Sequence, residues 1–185
     1  MKAILIVLAI GLVSSFPLYK QCDSRWGSNK LGSSTTICKS GCLMSSVAMY
    51  SGTHTPGTLN SWLMGHGGYS GNLFIWGSVS SLGLKYLGKS SSAADITNHI
   101  NAGHGVILNV HNGGHWVLAT GVSGSSYLVN DPGYTTTSYP KSEVREAGIF
   151  SKSGRFVDPE LLKNLEMVEF EDLSNFDIET EQVSQ

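Results

Sequence analysis

Two kinds of hydrophobic spacing follow one another along the chain, and their order limits the folds open to it. Up to about residue 102, apolar residues recur at helical intervals behind capping signals. Ser40 stands as N-cap before a helix expected over residues 41–50, ended by Ser51-Gly52. Thr55-Pro56 offers a second cap with proline in the first turn, ahead of Leu59, Trp62 and Leu63. A short helix is expected over residues 73–82, and another from Ser92 to about residue 102. After Gly103 the spacing changes. V-I-L-N-V, W-V-L-A-T-G-V and S-Y-L-V-N are short β-prone runs separated by Gly and Ser. Asp131-Pro132-Gly133 reads as a turn, T-T-T-S-Y as a further strand, and residues 140–147 as a short helix. Helices first and a mostly antiparallel sheet second is an α+β pattern.

Charge and composition narrow the function classes. Only 14% of the 185 residues are charged and 22 are glycine, which argues against a coiled coil, a long-helix bundle or a chain disordered throughout. The net charge is -2 and no Lys/Arg cluster is present to grip phosphates, so no nucleic-acid partner is expected. Met1-Lys2, the apolar run A-I-L-I-V-L-A-I-G-L-V and Ser14-Ser15 read as a secretory signal peptide over residues 1–15. That run is shorter than the roughly 20 residues a membrane span needs, so no span is expected after signal removal. The mature chain is expected to be secreted, extracellular or lumenal in the secretory and endolysosomal route. Residues 16–157 carry ten Lys/Arg and five Asp/Glu, and residues 158–185 carry one Lys and nine Asp/Glu. The expected organisation is therefore one domain over 16–157 and an acidic, partly disordered segment over 158–185.

Three cysteines, Cys22, Cys38 and Cys42, leave one thiol over in an oxidising compartment. The simplest partition pairs Cys22 with Cys38 and frees Cys42. A Cys38–Cys42 bridge competes with it, and a zinc site from three Cys and a His is a third reading, although the close Cys pair usual in such sites is missing. No metal and no cofactor is expected. Cys42 lies at the start of the expected helix, where the macrodipole and free N–H groups favour a thiolate. Gly41 before it allows close approach. His115, in N-G-G-H-W-V-L-A-T-G-V, is delivered by a glycine turn to the mouth of a strand, and Y-L-V-N-D-P-G brings Asp131 to the end of the next. A hairpin through residues 123–126 sets the two near each other, the base-plus-orienter arrangement that a thiol nucleophile needs. The structural alternative is a buried inert Cys, a hydrogen-bonded His and a turn-capping Asp. His54, His66, His99, His104 and His111 have no nameable partner and read as loop or surface residues. His111 is the strongest competitor of His115 for the base.

Five blocks in order, Y-K-Q-C-D-S-R-W-G, S-G-C-L-M-S-S-V-A-M, T-P-G-T-L-N-S-W-L, G-G-H-W-V-L-A-T-G-V and Y-L-V-N-D-P, cover Tyr19 to Pro132. Together they resemble the papain-like cysteine peptidases related to bacteriocin leader peptidases (cysteine peptidase family thirty-nine-like). The resemblance implies a papain-like α+β fold with the nucleophile-bearing helix packed on an antiparallel sheet. It implies Cys42 as nucleophile, His115 as general base and acid, and Asp131 as the orienter of His115. It also implies Gln21 as a side-chain oxyanion donor beside the Cys42 N–H. Many relatives carry Gly-Pro-Thr after the nucleophile, where this chain has Leu43-Met44-Ser45. Those side chains either narrow the cleft or pack under the helix. Asp23 and Trp26 read as structural, and Trp116 as core or as a cover for the site.

The expected function is a secreted cysteine hydrolase acting on a peptide or protein substrate through thiol acylation. The alternatives are a non-catalytic peptide or cell-wall binding module on the same fold, and a cysteine acyltransferase or transpeptidase that passes the acyl group to an amine. No ATP-binding motif is present, so processing of bacteriocin leaders during export is not expected. The acidic segment offers a cover for the mildly basic domain.

Overall fold

The computed structural model describes residues 16–152. The expected leader at 1–15 and the acidic segment at 158–185 lie outside the described residues. In chain order the elements begin with β1 (Lys30–Leu31), β2 (Thr35–Thr36), α1 (Ile37–Ser40), α2 (Cys42–Ser51) and α3 (Pro56–Gly65). Then come β3 (Tyr69–Ser70), β4 (Leu73–Phe74), a 3-10 helix (Trp76–Leu82), β5 (Leu84–Ser90) and α4 (Ala93–Asn101). The last part holds β6 (Gly105–Val110), β7 (His115–Ser123), β8 (Ser126–Asn130), β9 (Ser138–Pro140) and β10 (Glu146–Lys152). β1 pairs with β2 and β3 with β4 as small hairpins, and the other six strands form one antiparallel sheet in the order β5-β10-β6-β7-β8-β9.

Helices cover both faces of this sheet. Val47, Met49 and Tyr50 of α2 pack with Leu59 and Leu63 of α3 onto Ile107, Leu118 and Phe150. Ile96 of α4 packs with Val106, Leu108, Val117 and Ala119. Because neighbouring strand residues point to opposite faces, β6 is buried along its whole length, and this explains its unbroken apolar run. Each fully buried Val or Met side chain contributes roughly 1.5–3 kcal/mol. Met49→Ala, in the last turn of α2, costs about 2–5 kcal/mol. Gly105 opens β6 under the ring of Tyr50: a Cβ there would lie 2.3 Å from Tyr50 Cδ1, so the missing side chain lets α2 lie flat on the sheet.

The sequence-based boundaries need four corrections. Ser40 does not cap the helix that begins at Cys42. Thr36 caps the single turn α1, its hydroxyl accepting from Lys39 N, and Gly41 joins α1 to α2. No continuous helix runs over 73–82. Leu73–Phe74 returns as a hairpin strand, because Asn72 Oδ1 accepts N–H groups from Ser33 and Ser34 and holds the turn to that loop, and the rest is 3-10. Residues 84–90, unassigned from sequence, alternate buried and exposed positions as a strand. The helix expected over 140–147 shrinks to a 3-10 turn at Lys141–Glu143, and A-G-I-F becomes β10, an inner strand between β5 and β6. Its apolar residues find more burial in the sheet than a surface helix would give them.

Cys22 and Cys38 form a disulfide, and Cys42 is free. This overturns both the Cys38–Cys42 bridge and the three-cysteine zinc site. In the chain-entropy account the bridge contributes about 3 kcal/mol. Among the described residues no helix is long and apolar enough to cross a membrane.

Candidate active site

Cys42 is the first residue of α2, half-buried at the helix N-terminus. Gly41 N donates to Ile37 O at 2.7 Å, and Ser45 N begins the regular ladder on Gly41 O at 2.8 Å. The N–H groups of the first turn therefore have no acceptor within the helix and leave partial positive charge around the sulfur. A cleft of about 340 Å³ opens beside it, lined among others by Leu43, Met44, Tyr69, Phe74 and Trp116. Leu43 and Met44 do both things expected of them, since Met44 is also part of the core. Trp116 likewise lines the cleft while its ring meets Trp76 edge-on at 5.2 Å. A larger hollow of about 510 Å³ lies away from Cys42, beside His111, Glu143 and Arg145.

His115 opens β7, and Asp131 follows the last residue of β8. Why these two meet is a matter of register. From the turn, Ser123 faces Ser126 and Gly121 faces Leu128, but after a bulge between Ala119 and Gly121 it is Ala119 that faces Val129 and Leu118 that faces Asn130. Thr120 is the extra residue. Carried one step further, the bulged register sets Asp131 opposite Val117, and Val117 shares a strand face with His115. In the unbulged register Asp131 would face Leu118 and point to the other side of the sheet. The result is a 2.7 Å hydrogen bond from His115 Nε2 to Asp131 Oδ1, with both residues buried. With Nε2 engaged by Asp131, Nδ1 is the ring nitrogen left for another partner, and Cys42 is close enough to help raise the His115 ring.

Asp131 is also the cap of its own turn. Oδ1 accepts from Gly133 N at 2.8 Å and Tyr134 N at 2.9 Å, and Oδ2 accepts from Tyr139 Oη at 2.8 Å. Burial pushes this carboxyl up, but the His115, Tyr134, Tyr139 and Gly133 hydrogen bonds outweigh it and hold it at about 2. Burial alone would push His115 down. The Asp131 hydrogen bond and Cys42 reverse that and raise it to about 9, so the ring is an imidazolium at neutral pH. Gly133 makes room for it: a Cβ there would lie 2.9 Å from His115 Cε1 and 3.6 Å from Gln21 Oε1.

Gln21 therefore lies near the same corner. Its backbone N–H donates to Pro132 O at 2.9 Å. Its side-chain Nε2 donates to Cys38 O at 2.7 Å, and Oε1 is buried without a partner. One of the two amide hydrogens is thus engaged with the chain. Asp23 pairs with Arg25, and Trp26 is buried with Nε1 donating to Lys20 O.

Sequence reasoning missed Tyr139 and the role of His111. Tyr139 reads only as a strand residue, and its contact with Asp131 depends on a loop whose path no periodicity gives. His111 is not a free loop residue. Its ring stacks on His115 at 5.5 Å between centroids and its Nε2 lies 3.2 Å from Tyr139 Oη. The other histidines also have partners: His54 with Thr53, His66 with Trp62, and His99 with His104.

Comparison with known proteins gives two findings. Residues 13–154 match the family described as Peptidase_C39 like family. Among solved structures, the chain is similar to a double glycine motif protease from an AMS/PCAT transporter, crystallised in complex with the leader peptide. The identity is 16%, the TM-score is 0.48, and the match covers 75% of this chain and 93% of that one. Among curated proteins none matches.

Proposed function

The chain belongs to the Peptidase_C39 like family, and from that premise we propose that it is a secreted cysteine peptidase in which Cys42, His115 and Asp131 act as a triad on a peptide substrate. The observation that carries the reading is the buried His115–Asp131 pair, its histidine raised in part by the nearby Cys42, a half-buried free thiol at a helix N-terminus. In the proposed cycle the Cys42 thiolate attacks the scissile carbonyl carbon. The oxyanion that forms takes hydrogen bonds from Cys42 N–H and from the second amide hydrogen of Gln21, each donor of this kind being worth roughly 3 kcal/mol. His115 gives its proton to the leaving amine, the C–N bond breaks and a thioester remains. Neutral His115 then takes a proton from water as the hydroxide adds to the thioester carbon, and the C–S bond breaks, releasing the carboxylic acid and leaving the thiolate beside the imidazolium that proton created. Asp131 keeps the ring in the tautomer that faces the sulfur. The Cys22–Cys38 bond supports an oxidising destination. It also ties the Gln21 segment to the approach to α2.

The test is alkylation of the folded protein with iodoacetamide at pH 6 without reductant, followed by mass spectrometry. An ordinary thiol is only about 0.3% ionised there, given a free value near 8.5. Cys42 is expected to react at least about tenfold faster than free cysteine, as a nucleophile at a helix N-terminus beside the His115 imidazolium should. A rate at or below that of free cysteine overturns the reading. Peptide hydrolysis that survives Cys42→Ala overturns it as well.

A further inference from the structure

We propose that Tyr139, itself held by His111, is a positioning residue that shares the charge of Asp131 and so sets the pH at which His115 gives up its proton. The inference rests on the triad reading and extends it to a second arm of the carboxylate. Asp131 is 1% exposed, so both of its oxygens need partners inside the protein. Oδ1 has three N–H donors, whereas among the described residues Oδ2 has one donor, the hydroxyl of Tyr139. A phenol has a single hydrogen. With that hydrogen on Asp131, the 3.2 Å contact to His111 is one in which His111 Nε2–H donates to the Tyr139 oxygen. The hydrogen bonds then run in one direction, from His111 to Tyr139 to Asp131. Each donation strengthens the next.

Two further observations support the arrangement. His111 and Asn112 adopt left-handed backbone, with φ of 51° and 54°. Such positions persist where surrounding contacts hold them. Asn109 Nδ2 donates to Gly113 O and His115 O, and Arg145 donates to Asn112 O, so the turn that presents His111 is fixed from both sides. Burial and donation to Asp131 also push the Tyr139 hydroxyl up to about 12, so it remains a donor while His115 titrates. The groups facing His115 are Cys42 from α2, Asp131 and Tyr134 from the loop after β8, and His111 from the β6–β7 turn. Lys20 Nζ lies on the carbonyls of Asp131 and Tyr134, and Glu143 and Arg145 line the hollow beside His111.

The experiment follows the iodoacetamide rate of Cys42 from pH 4 to 10.5 in the full chain and in Tyr139→Phe, His111→Asn and the double variant. In the unaltered protein the upper inflection reads loss of the His115 proton. Tyr139→Phe keeps the ring in the core and removes the donor, which leaves more negative charge opposite the imidazolium. The upper inflection is expected to rise by about half a pH unit or more. His111→Asn tolerates the left-handed backbone, takes nothing from the core, and is expected to give a smaller rise that vanishes in the Tyr139→Phe background. An inflection that stays in place or falls in Tyr139→Phe overturns the proposal, and so does a His111→Asn effect that survives in the double variant. If Tyr139→Phe does not fold, the His111→Asn inflection decides: a rise supports the proposal and an unmoved or lowered one overturns it. A wild-type profile with no upper inflection instead refutes the triad itself, which separates the two failures.

Discussion

Compare His115 with His104: each has a ring nitrogen 2.7 Å from a partner, and their titrations are displaced in opposite directions. His115 meets the Asp131 carboxylate and is raised to about 9. His104 meets the Nδ1 of His99, and desolvation followed by the His99 charge lowers it. Asp95, the nearest carboxylate in that second cluster, lies 3.6 Å from His99 and is partly in solvent. A short contact therefore says little about a histidine. What decides its charge is whether the partner is a carboxylate held ionised by its own donors. Asp131 has three such donors besides His115 itself, and the His99–His104 contact has at most one shared proton.

The largest test of that contrast is Asp131→Asn, which removes the charge and keeps the shape. The upper inflection of Cys42 alkylation should fall by roughly 1–3 pH units, since an adjacent opposite charge shifts a group by that much. Peptidase activity should drop by about two to four orders of magnitude, read as kcat/KM on a peptide substrate. Next in size is Gly133→Ala. The new Cβ meets His115 Cε1 at 2.9 Å and the ring must move, so a loss of about tenfold or more is expected in the alkylation rate at pH 6, with little change in thermal midpoint. Stability against pH is a third, smaller effect. His115 is raised on folding, so its contribution is complete below about 6.5 and is lost as pH climbs through about 9. Asp131 is depressed, so its contribution is complete above 3.8 and is lost as pH falls through about 2. Urea unfolding between pH 7 and 10 should show the first loss, and Asp131→Asn should flatten it. His104→Ala comes last. A lowered histidine makes the fold weaker as pH drops through about 6.5, so the variant should slightly flatten the unfolding curve between pH 7 and 5, a small effect because the ring is largely screened by solvent. It should leave Cys42 alkylation unchanged.

Much of this was legible in the sequence because it depends on local rules. The Thr55-Pro56 cap and the Ser92 cap start helices where they were expected, and V-I-L-N-V, W-V-L-A-T-G-V and S-Y-L-V-N all lie in sheet strands. Cys42, His115 and Asp131 were singled out from a helix start and two strand ends, and the structure brings them together. What stayed hidden depends on long-range pairing. The segment A-G-I-F has no helical or alternating signature that distinguishes an inner strand from a surface turn. Its place between β5 and β6 is fixed by partners some 40 to 60 residues back. Tyr139 was invisible for the same reason. Its hydroxyl meets Asp131 only because β9 returns beside β8, with Tyr139 opposite Tyr127. His111 reads from sequence as a loop or surface residue, two positions ahead of the Gly113-Gly114 pair. Those glycines do not release the ring. They complete the tight corner that presses it against Tyr139.

The bulge at Thr120 makes the β7–β8 hairpin an odd-even counter. Adding or removing one residue between His115 and Thr120 exchanges the two sides of every later pairing and sends the carboxylate away from the imidazole. Lengthening the tip at Gly124-Ser125 leaves that parity alone. Chains built on this plan are therefore free to vary the far end of the hairpin and are constrained to change the near end in steps of two.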